Sequence, residues 1–234
     1  MIKAIPNSQN FETKLDWLTS YHHFSFGEHY DPQKIEFGPL MVFNDDVIKA
    51  GRGFDFHSHS NMEIVTLVID GILEHKDSMG NVGVVEPGEV QRMTAGTGVF
   101  HSEYNHSKEK PLRLLQMWVR PDKNGLKPSW EQRKFTKEQK HNKLLAIVHP
   151  DGTQDDSTSI HQDVWFYVSS LAKGAKISHH IQDRQAYLFV IDGSIAVNEK
   201  TLGSQDSAEI QKEKEISIAA SENSEIILID LPAT

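Results

Sequence analysis

Cysteine is absent from this chain of 234 residues. Its absence excludes disulfide bonds, thiolate metal ligands and cysteine nucleophiles together. Long apolar runs are also missing, because no stretch approaches the ~18–20 residues that a membrane-spanning helix needs. Residues 1–8 have neither the apolar segment nor the small-residue cleavage site of a secretory signal, so secretion is not expected.

Positive charge is scarce relative to negative charge. The chain has 24 lysines and arginines against 33 aspartates and glutamates, and its formal net charge is -9 at pH 7. A chain of this charge is not expected to hold nucleic acid by sequence-independent electrostatic attraction. We therefore expect a cytoplasmic protein that binds neither nucleic acid directly nor a membrane.

The sequence shows no pattern of a long amphipathic helix. The chain instead has short runs rich in β-branched and aromatic residues, at positions 40–43, 64–69, 83–85, 112–119, 144–148 and 163–171. Turn-forming pairs such as those at 70–71 and 151–152 separate these runs, a pattern typical of an all-β sandwich or barrel. Only residues 128–133 and 136–140 are expected to form a helical turn or two.

An internal repeat indicates two domains. The sequence Leu-Val-Ile-Asp-Gly at 67–71 recurs as Phe-Val-Ile-Asp-Gly at 189–193, an offset of 122 residues. The polar, proline-broken stretch 120–128 is interpreted as the domain connection. The sequence thus predicts an N-terminal metal-binding domain at 1–125 and a C-terminal domain at 126–234.

Two triplets, His57-Ser58-His59 and His101-Ser102-Glu103, carry the chemistry of the N-terminal half. Residues i and i+2 of a β-strand project from the same face, so each triplet offers two metal-capable side chains to one side. Two such strands side by side place three imidazoles and one carboxylate around one point. This mixed nitrogen and oxygen set favours a divalent transition metal over calcium or magnesium.

The second half of the repeat lacks this set. At the same offset His57 falls on His179, but His59 and Glu63 fall on Ile181 and Gln185. We therefore expect a degenerate C-terminal domain without a metal set. Surface or structural roles are expected for the scattered histidines, which are His22, His23, His29, His106, His141, His149 and His161.

The surroundings of the two triplets resemble the signature motifs of the cupin superfamily and, more closely, the pirin family. The similar segments are 53–63, 75–78, 88–96 and 101–103, and the resemblance extends from roughly residue 20 to 121 and more thinly to the end. Two departures are Asp70, which lengthens one motif by a residue, and Gly96, which stands where cupins usually have proline. The resemblance implies an all-β bicupin, two antiparallel jelly-roll β-barrels packed together with few short helices.

The resemblance also implies a ligand set. Carried over by motif position, the metal ligands are His57, His59, His101 and Glu103. Glu63 stays open as an alternative, because many cupins use the glutamate at that place as a ligand. If it is not a ligand, it is expected to orient a histidine. One divalent ion is expected, with iron as the first candidate and manganese, nickel, cobalt, copper or zinc as alternatives.

The activity implied by the resemblance is that of bacterial pirin-like proteins associated with quercetinase activity, in which dioxygen cleaves a flavonol and carbon monoxide is released. The expected protein is a monomeric, quercetin 2,3-dioxygenase-like oxidoreductase with a small aromatic flavonol and O2 as substrates. Glu103 is the expected catalytic base, and the apolar side chains Phe54, Phe56, Met62 and Val99 are expected at the pocket mouth. Two alternatives stay open: a redox-sensitive metal protein that modulates a protein partner, and another cupin ring cleavage or isomerisation.

Overall fold

The structure is a computed structural model that describes residues 1–181 and 183–233, the side chain of residue 155 excepted. β-Strands and short turns make up nearly all of it. The helices of the described part are two 3-10 turns, Asn7–Gln9 and Gln154–Asp156. None of the described helices is long and apolar enough to cross a membrane.

The strands are numbered in chain order. They are β1 (Ile2–Ile5), β2 (Phe11–Lys14), β3 (Leu18–His22), β4 (Leu40–Ile48), β5 (Gly53–His59), β6 (Glu63–Asp70), β7 (Leu73–Asp77), β8 (Val82–Val85), β9 (Glu89–Thr94), β10 (Val99–Asn105), β11 (Leu112–Val119), β12 (Ser129–Lys134), β13 (Leu145–His149), β14 (Thr158–Ser159), β15 (Trp165–Leu171), β16 (Lys176–His180), β17 (Arg184–Asp192), β18 (Ser194–Val197), β19 (Lys200–Gly203), β20 (Ser207–Gln211), β21 (Glu215–Ala220) and β22 (Ser224–Pro232).

The chain forms two compact units. The N-terminal unit contains Asn10–Lys134 and Thr158–Gln162, and the C-terminal unit contains Met1–Gln9, Phe135–Ser157 and Asp163–Thr234. These bounds differ from the predicted division at residue 125, because β1 pairs with β20 and a short later segment joins the N-terminal unit. The helical turn expected at 128–133 is wrong: β12 pairs with β9 there.

Each unit is a sandwich of two antiparallel sheets. In the N-terminal unit the strand orders are β12-β9-β6-β11-β4-β3-β2 and β5-β10-β7-β8. In the C-terminal unit one sheet includes β1-β20-β17-β22-β15-β13, and the other is β16-β21-β18-β19. The predicted all-β bicupin is thus confirmed as a fold class, although the two sheets of each unit stay separate in the described ladders and do not close into a barrel.

The sequence repeat corresponds to equivalent strands. β6 lies between β9 and β11, and β17 lies between β20 and β22 in the same way. The glycines that follow them, Gly71 and Gly193, have φ values of +85° and +91°. A Cβ at Gly193 would lie 2.4 Å from the carbonyl oxygen of Asn223, and one at Gly71 would lie 2.6 Å from that of Pro111. The turn therefore requires glycine in both units.

The interior of the C-terminal unit is apolar. Its core contains Ile195, Ile210, Ile218 and Leu228, all fully buried, within one continuous cluster. In its β16–β21 ladder, Ile216 is opposite His179, whereas His101 is opposite His57 in the corresponding β5–β10 ladder of the other unit. An aliphatic side chain thus occupies the place of a predicted metal ligand.

Candidate metal centre and its cavity

The two predicted triplets lie on neighbouring strands. His57 is directly opposite His101 in the antiparallel β5–β10 ladder, and Glu103 is opposite Phe54. The register shift between these pairs places two residues of β5, Asp55 and Phe56, opposite one residue of β10, Ser102, which is a β-bulge. The bulge residues Asp55 and Phe56 are exposed, while Phe54 and His57 both line the cavity.

Three imidazoles converge at this point. The ligand nitrogens of His57, His59 and His101 lie within 4.8 Å of one another. His57 Nδ1 is 2.8 Å from the carbonyl oxygen of Asp55, a contact in which the ring donates and which leaves Nε2 as the lone-pair nitrogen. His101 is 1% exposed, and neither of its ring nitrogens has a hydrogen-bond partner among the described residues. Buried nitrogens of this kind fit a metal ion.

The environment favours the neutral form of two of these rings, His59 and His101. Burial lowers the pKa of His101 to about 3, and the neighbouring imidazoles of His57 and His75 contribute. Burial likewise lowers the pKa of His59 to about 4, with His101 and His57 contributing. A neutral imidazole has the free lone pair that a metal requires, so at neutral pH both rings are in the form that binds metal.

Glu103 is held by two amides. Its side chain is 3% exposed, and Oε1 accepts a hydrogen bond of 3.0 Å from Gln91 while Oε2 accepts one of 2.7 Å from Gln116. Thr66 donates to Gln116 Oε1 at 2.8 Å, and Trp130 donates to Gln91 Oε1 at 2.9 Å. These second contacts fix which end of each amide faces Glu103. Both carboxylate oxygens keep lone pairs that remain available to a metal.

His75 forms a second group with the same residues. Ligand atoms of His75, His101 and Glu103 also lie within 4.8 Å of one another. His75 is fully buried, its Nε2 is 3.2 Å from Asp77 Oδ2, and its ring stacks on Trp130. The predicted ligand set therefore spans two groups that share His101, with three imidazoles in one and Glu103 in the other.

Glu63 points to the opposite face of its strand. Ile64 and Thr66 face the cavity side of β6, so the alternation of the strand directs Glu63 away from it. Its Oε2 accepts a hydrogen bond of 3.0 Å from Thr94, and Oε1 is 3.3 Å from Nδ1 of His161. Burial raises the pKa of Glu63, against the opposing effect of Arg92.

A cavity of about 260 Å³ within the N-terminal unit leads to the histidines. Its apolar lining is Leu18, Phe26, Phe54, Ile64 and Trp118. Besides the three candidate histidine ligands and Glu103, its polar lining is Ser20, His22, Asn44, Asp46 and Gln116. Of the side chains expected at the mouth, Phe54 is in place. Phe56 is instead 56% exposed to solvent, and Met62 and Val99 pack in a cluster with Met93.

Gly53 shows why the first motif needs glycine. A Cβ at this position would lie 2.2 Å from the carbonyl oxygen of Glu103 and 2.5 Å from Cα of Tyr104. Such distances are shorter than any tolerated contact, so a side chain would force β5 away from β10. The glycine therefore sets the close approach of the two strands that carry the candidate ligands.

Sequence reasoning missed the polar residues that surround Glu103 and line the cavity. Gln116 interrupts the apolar run of β11, and Thr66 interrupts that of β6. A lone polar residue at an inward position of a buried strand is the signal that identifies such groups. His22, expected to be structural or at the surface, is buried and lines the cavity, with Nδ1 2.9 Å from Asn44 Oδ1.

Comparisons with known proteins identify related families and relatives. A family model described as Pirin matches residues 5–119, and one described as Quercetinase C-terminal cupin domain matches residues 146–231. A protein of Escherichia coli (strain K12) named quercetin 2,3-dioxygenase is 44% identical over 217 residues, which cover 92% of this chain and 92% of that protein. A pirin-like protein of Caulobacter vibrioides is 38% identical over 215 residues, with the same coverage of 92% of both.

The fold of the chain also matches that of solved structures. The crystal structure of bacterial pirin YhhW from Escherichia coli in complex with nickel(II) has a TM-score of 0.95 and 40% sequence identity, covering 100% of both chains. Identity at this level over nearly the whole chain confirms the resemblance predicted from the motifs, and we conclude that the chain belongs to the pirin family.

Proposed function

We propose that this protein is a metal-dependent dioxygenase that cleaves a flavonol such as quercetin with O2 and releases CO. The observation that carries the proposal is that His57, His59, His101 and Glu103 all line one cavity with aromatic walls, where the ligand nitrogens of the three imidazoles lie within 4.8 Å of one another. Relatives named quercetin 2,3-dioxygenase support the reaction class. In the overall reaction both oxygen atoms of O2 enter the ring-opened product, and one ring carbon leaves as CO.

The proposed ligands fit a divalent transition metal. Three imidazoles and one carboxylate form a donor set that suits these ions, and the unpartnered nitrogens of His101 are the clearest indication that an ion belongs there. When bound, such an ion supplies a Lewis acid that lowers the pKa of an attached hydroxyl. Iron is our first candidate, and nickel is supported by the related nickel-bound pirin.

The residues of this chain perform the remaining tasks. Glu103 accepts the proton of the flavonol 3-hydroxyl as general base, with its oxygens held in place by the Gln91 and Gln116 amides. Phe26 and Trp118, whose ring centroids are 5.4 Å apart, and Phe54 provide apolar surfaces that contact the rings of the substrate and exclude water.

The experiment is an oxygen-uptake and CO-release assay with metal-loaded protein and a pair of flavonoids. Quercetin should be consumed with release of CO, whereas a flavone without the 3-hydroxyl should be inert because it has no proton for Glu103 to accept. Metal-free protein should be inactive, and a divalent ion should restore activity. Cleavage of the 3-deoxy compound at a similar rate would refute this mechanism.

A second candidate function is modulation of a protein partner. Phe56 and Phe100 are 56% and 57% exposed on the strands that carry the histidines, so an apolar surface lies on the outer face of the β5–β10 ladder. No oxygen uptake with any flavonol, despite a full complement of metal, would favour this function. The cytoplasmic location and the monomeric state stay predictions, to be checked by fractionation and by light scattering.

A further inference from the structure

One wall of the cavity carries a polar row that the proposed chemistry does not use. In the ladder of β3, β4 and β11, Ser20 is opposite Asp46, and Asp46 is opposite Leu114. The next row along the same strands contains Asn44 and Gln116, and Gln116 is the donor to Glu103. Residues two apart on a strand are separated by about 7 Å. Asp46 therefore lies roughly 7 Å along the strands from the row of Asn44 and Gln116, whose amide donates to Glu103.

Asp46 has an oxygen without a partner. Its side chain lines the cavity, is 4% exposed and accepts a hydrogen bond from Ser20. Its Oδ1 has no hydrogen-bond partner among the described residues. The neighbouring polar side chains on this wall are satisfied by one another, as in the contact of His22 with Asn44 at 2.9 Å. A buried unpaired oxygen is unfavourable unless a ligand supplies the partner.

The surroundings of Asp46 define the kind of ligand. Leu18 and Phe54, which line the cavity near this end, belong to an apolar cluster with Leu114. Burial raises the pKa of Asp46 to about 7, and the charges of Asp45 and Glu103 contribute. The carboxyl is therefore about half protonated near neutral pH. Its unpartnered Oδ1 accepts a hydrogen bond in the ionised form, and the protonated form also offers an O–H donor. A hydroxyl group on an aromatic ring matches this chemistry.

We propose that Asp46, positioned by Ser20, forms a subsite that hydrogen-bonds a ring hydroxyl of the substrate at a distance from the group that reaches Glu103. This inference rests on the proposed function and extends it, because it makes Asp46 a determinant of specificity. The substrate class becomes polyhydroxylated flavonols, with the 3-hydroxyl at Glu103 and a second hydroxyl at Asp46.

The test compares two flavonols that both carry the 3-hydroxyl. Quercetin has further ring hydroxyls, and 3-hydroxyflavone has none. Dissociation constants are measured without oxygen on metal-loaded protein, for the wild type and for Asp46→Ala and Asp46→Asn. We expect the wild type to prefer quercetin by on the order of tenfold or more, since a buried hydrogen-bonding group discriminates against an analogue without the hydroxyl.

Asp46→Ala should remove this preference, and Asp46→Asn should keep most of it because an amide also offers a donor and an acceptor. Asp45→Asn is the matched control. Asp45 is the adjacent acid on the same strand but pairs with Arg113, at 2.9 and 2.7 Å, on the other face. This variant should keep the wild-type preference.

Two outcomes would overturn the subsite. One is no preference in the wild type, and the other is an unchanged preference in Asp46→Ala, including the case in which that variant loses affinity for both flavonols by the same factor. Loss of the preference in Asp46→Asn to the same extent as in Asp46→Ala would also overturn it. Oxygen uptake is recorded separately. A wild type that binds with the expected preference but consumes no O2 contradicts the proposed reaction and leaves the subsite supported.

Discussion

The Asp46 carboxyl should make the stability of the protein depend on pH in an unusual direction. Its pKa is raised from 3.8 to about 7 in the folded protein. As the pH rises through this window, the unfolded chain releases the proton while the folded chain retains it. The unfolded state therefore gains stability relative to the folded state, and Asp46 lowers the free energy of unfolding progressively from about pH 4 to pH 7.

The magnitude follows from the shift. About three pKa units correspond to about 4 kcal/mol at high pH, and on the order of 2–3 kcal/mol of this falls between pH 5 and pH 8. Asp46→Asn removes the ionisation. The free energy of unfolding of the variant minus that of the wild type should therefore rise by this amount between pH 5 and pH 8.

The assay is urea unfolding of wild type and variant at several pH values, followed by tryptophan fluorescence. A chelator is present, because a cation beside Glu103 would offset the negative charge that helps raise the pKa of Asp46. Since the Ser20 hydrogen bond lowers that pKa, the same comparison in a Ser20→Ala background should extend the rise to higher pH. A difference between variant and wild type that stays constant from pH 5 to pH 8 would refute the reasoning.

The remaining predictions concern the metal and the strands that carry its ligands. Glu103→Gln should lower the metal content, measured by elemental analysis, and abolish turnover. Glu63→Gln should leave the metal in place but lower the free energy of unfolding in urea by about 1–3 kcal/mol. Greater metal loss in Glu63→Gln than in Glu103→Gln would mean that the wrong carboxylate is assigned. Elemental analysis should find one transition-metal ion per chain, and two tightly bound equivalents would contradict the assignment of a single site to the N-terminal unit. Gly53→Ala should displace β10 at Glu103, because the added Cβ would lie 2.2 Å from the carbonyl oxygen of Glu103. The displacement should weaken metal binding, measured by competition with a chelator. An unchanged metal affinity would show that the two strands separate without cost.

The sequence predicts the parts of the site that depend on strand alternation. His57 and His59, like His101 and Glu103, are two residues apart within one strand, and such pairs share a face wherever the strand lies. The bulge at Asp55 and Phe56 could not be predicted in this way, because it depends on how β5 pairs with β10. Without it, the parity of β5 would place Phe54 on the face opposite His57.

The exchange of segments between the two units could not be predicted from the sequence either. β1 pairs with β20, which lies some 200 residues later in the chain, and residues 158–162 join the unit that precedes them. Neither pairing leaves a local pattern in the sequence. The repeat identified the equivalent strands β6 and β17, because both end at a glycine that their turn requires.

The distinction between the two buried glutamates follows from the charges around them. Glu63 and Glu103 are almost equally buried, at 0% and 3% exposure, so burial alone does not identify the ligand. Glu63 is near the guanidinium of Arg92 and 3.3 Å from His161, so the protein itself supplies opposing charge. Glu103 accepts hydrogen bonds from the amides of Gln91 and Gln116, which are neutral and supply no opposing charge. A buried carboxyl without an opposing charge either takes up a proton or binds a cation, and for this reason we propose Glu103 rather than Glu63 as the carboxylate ligand.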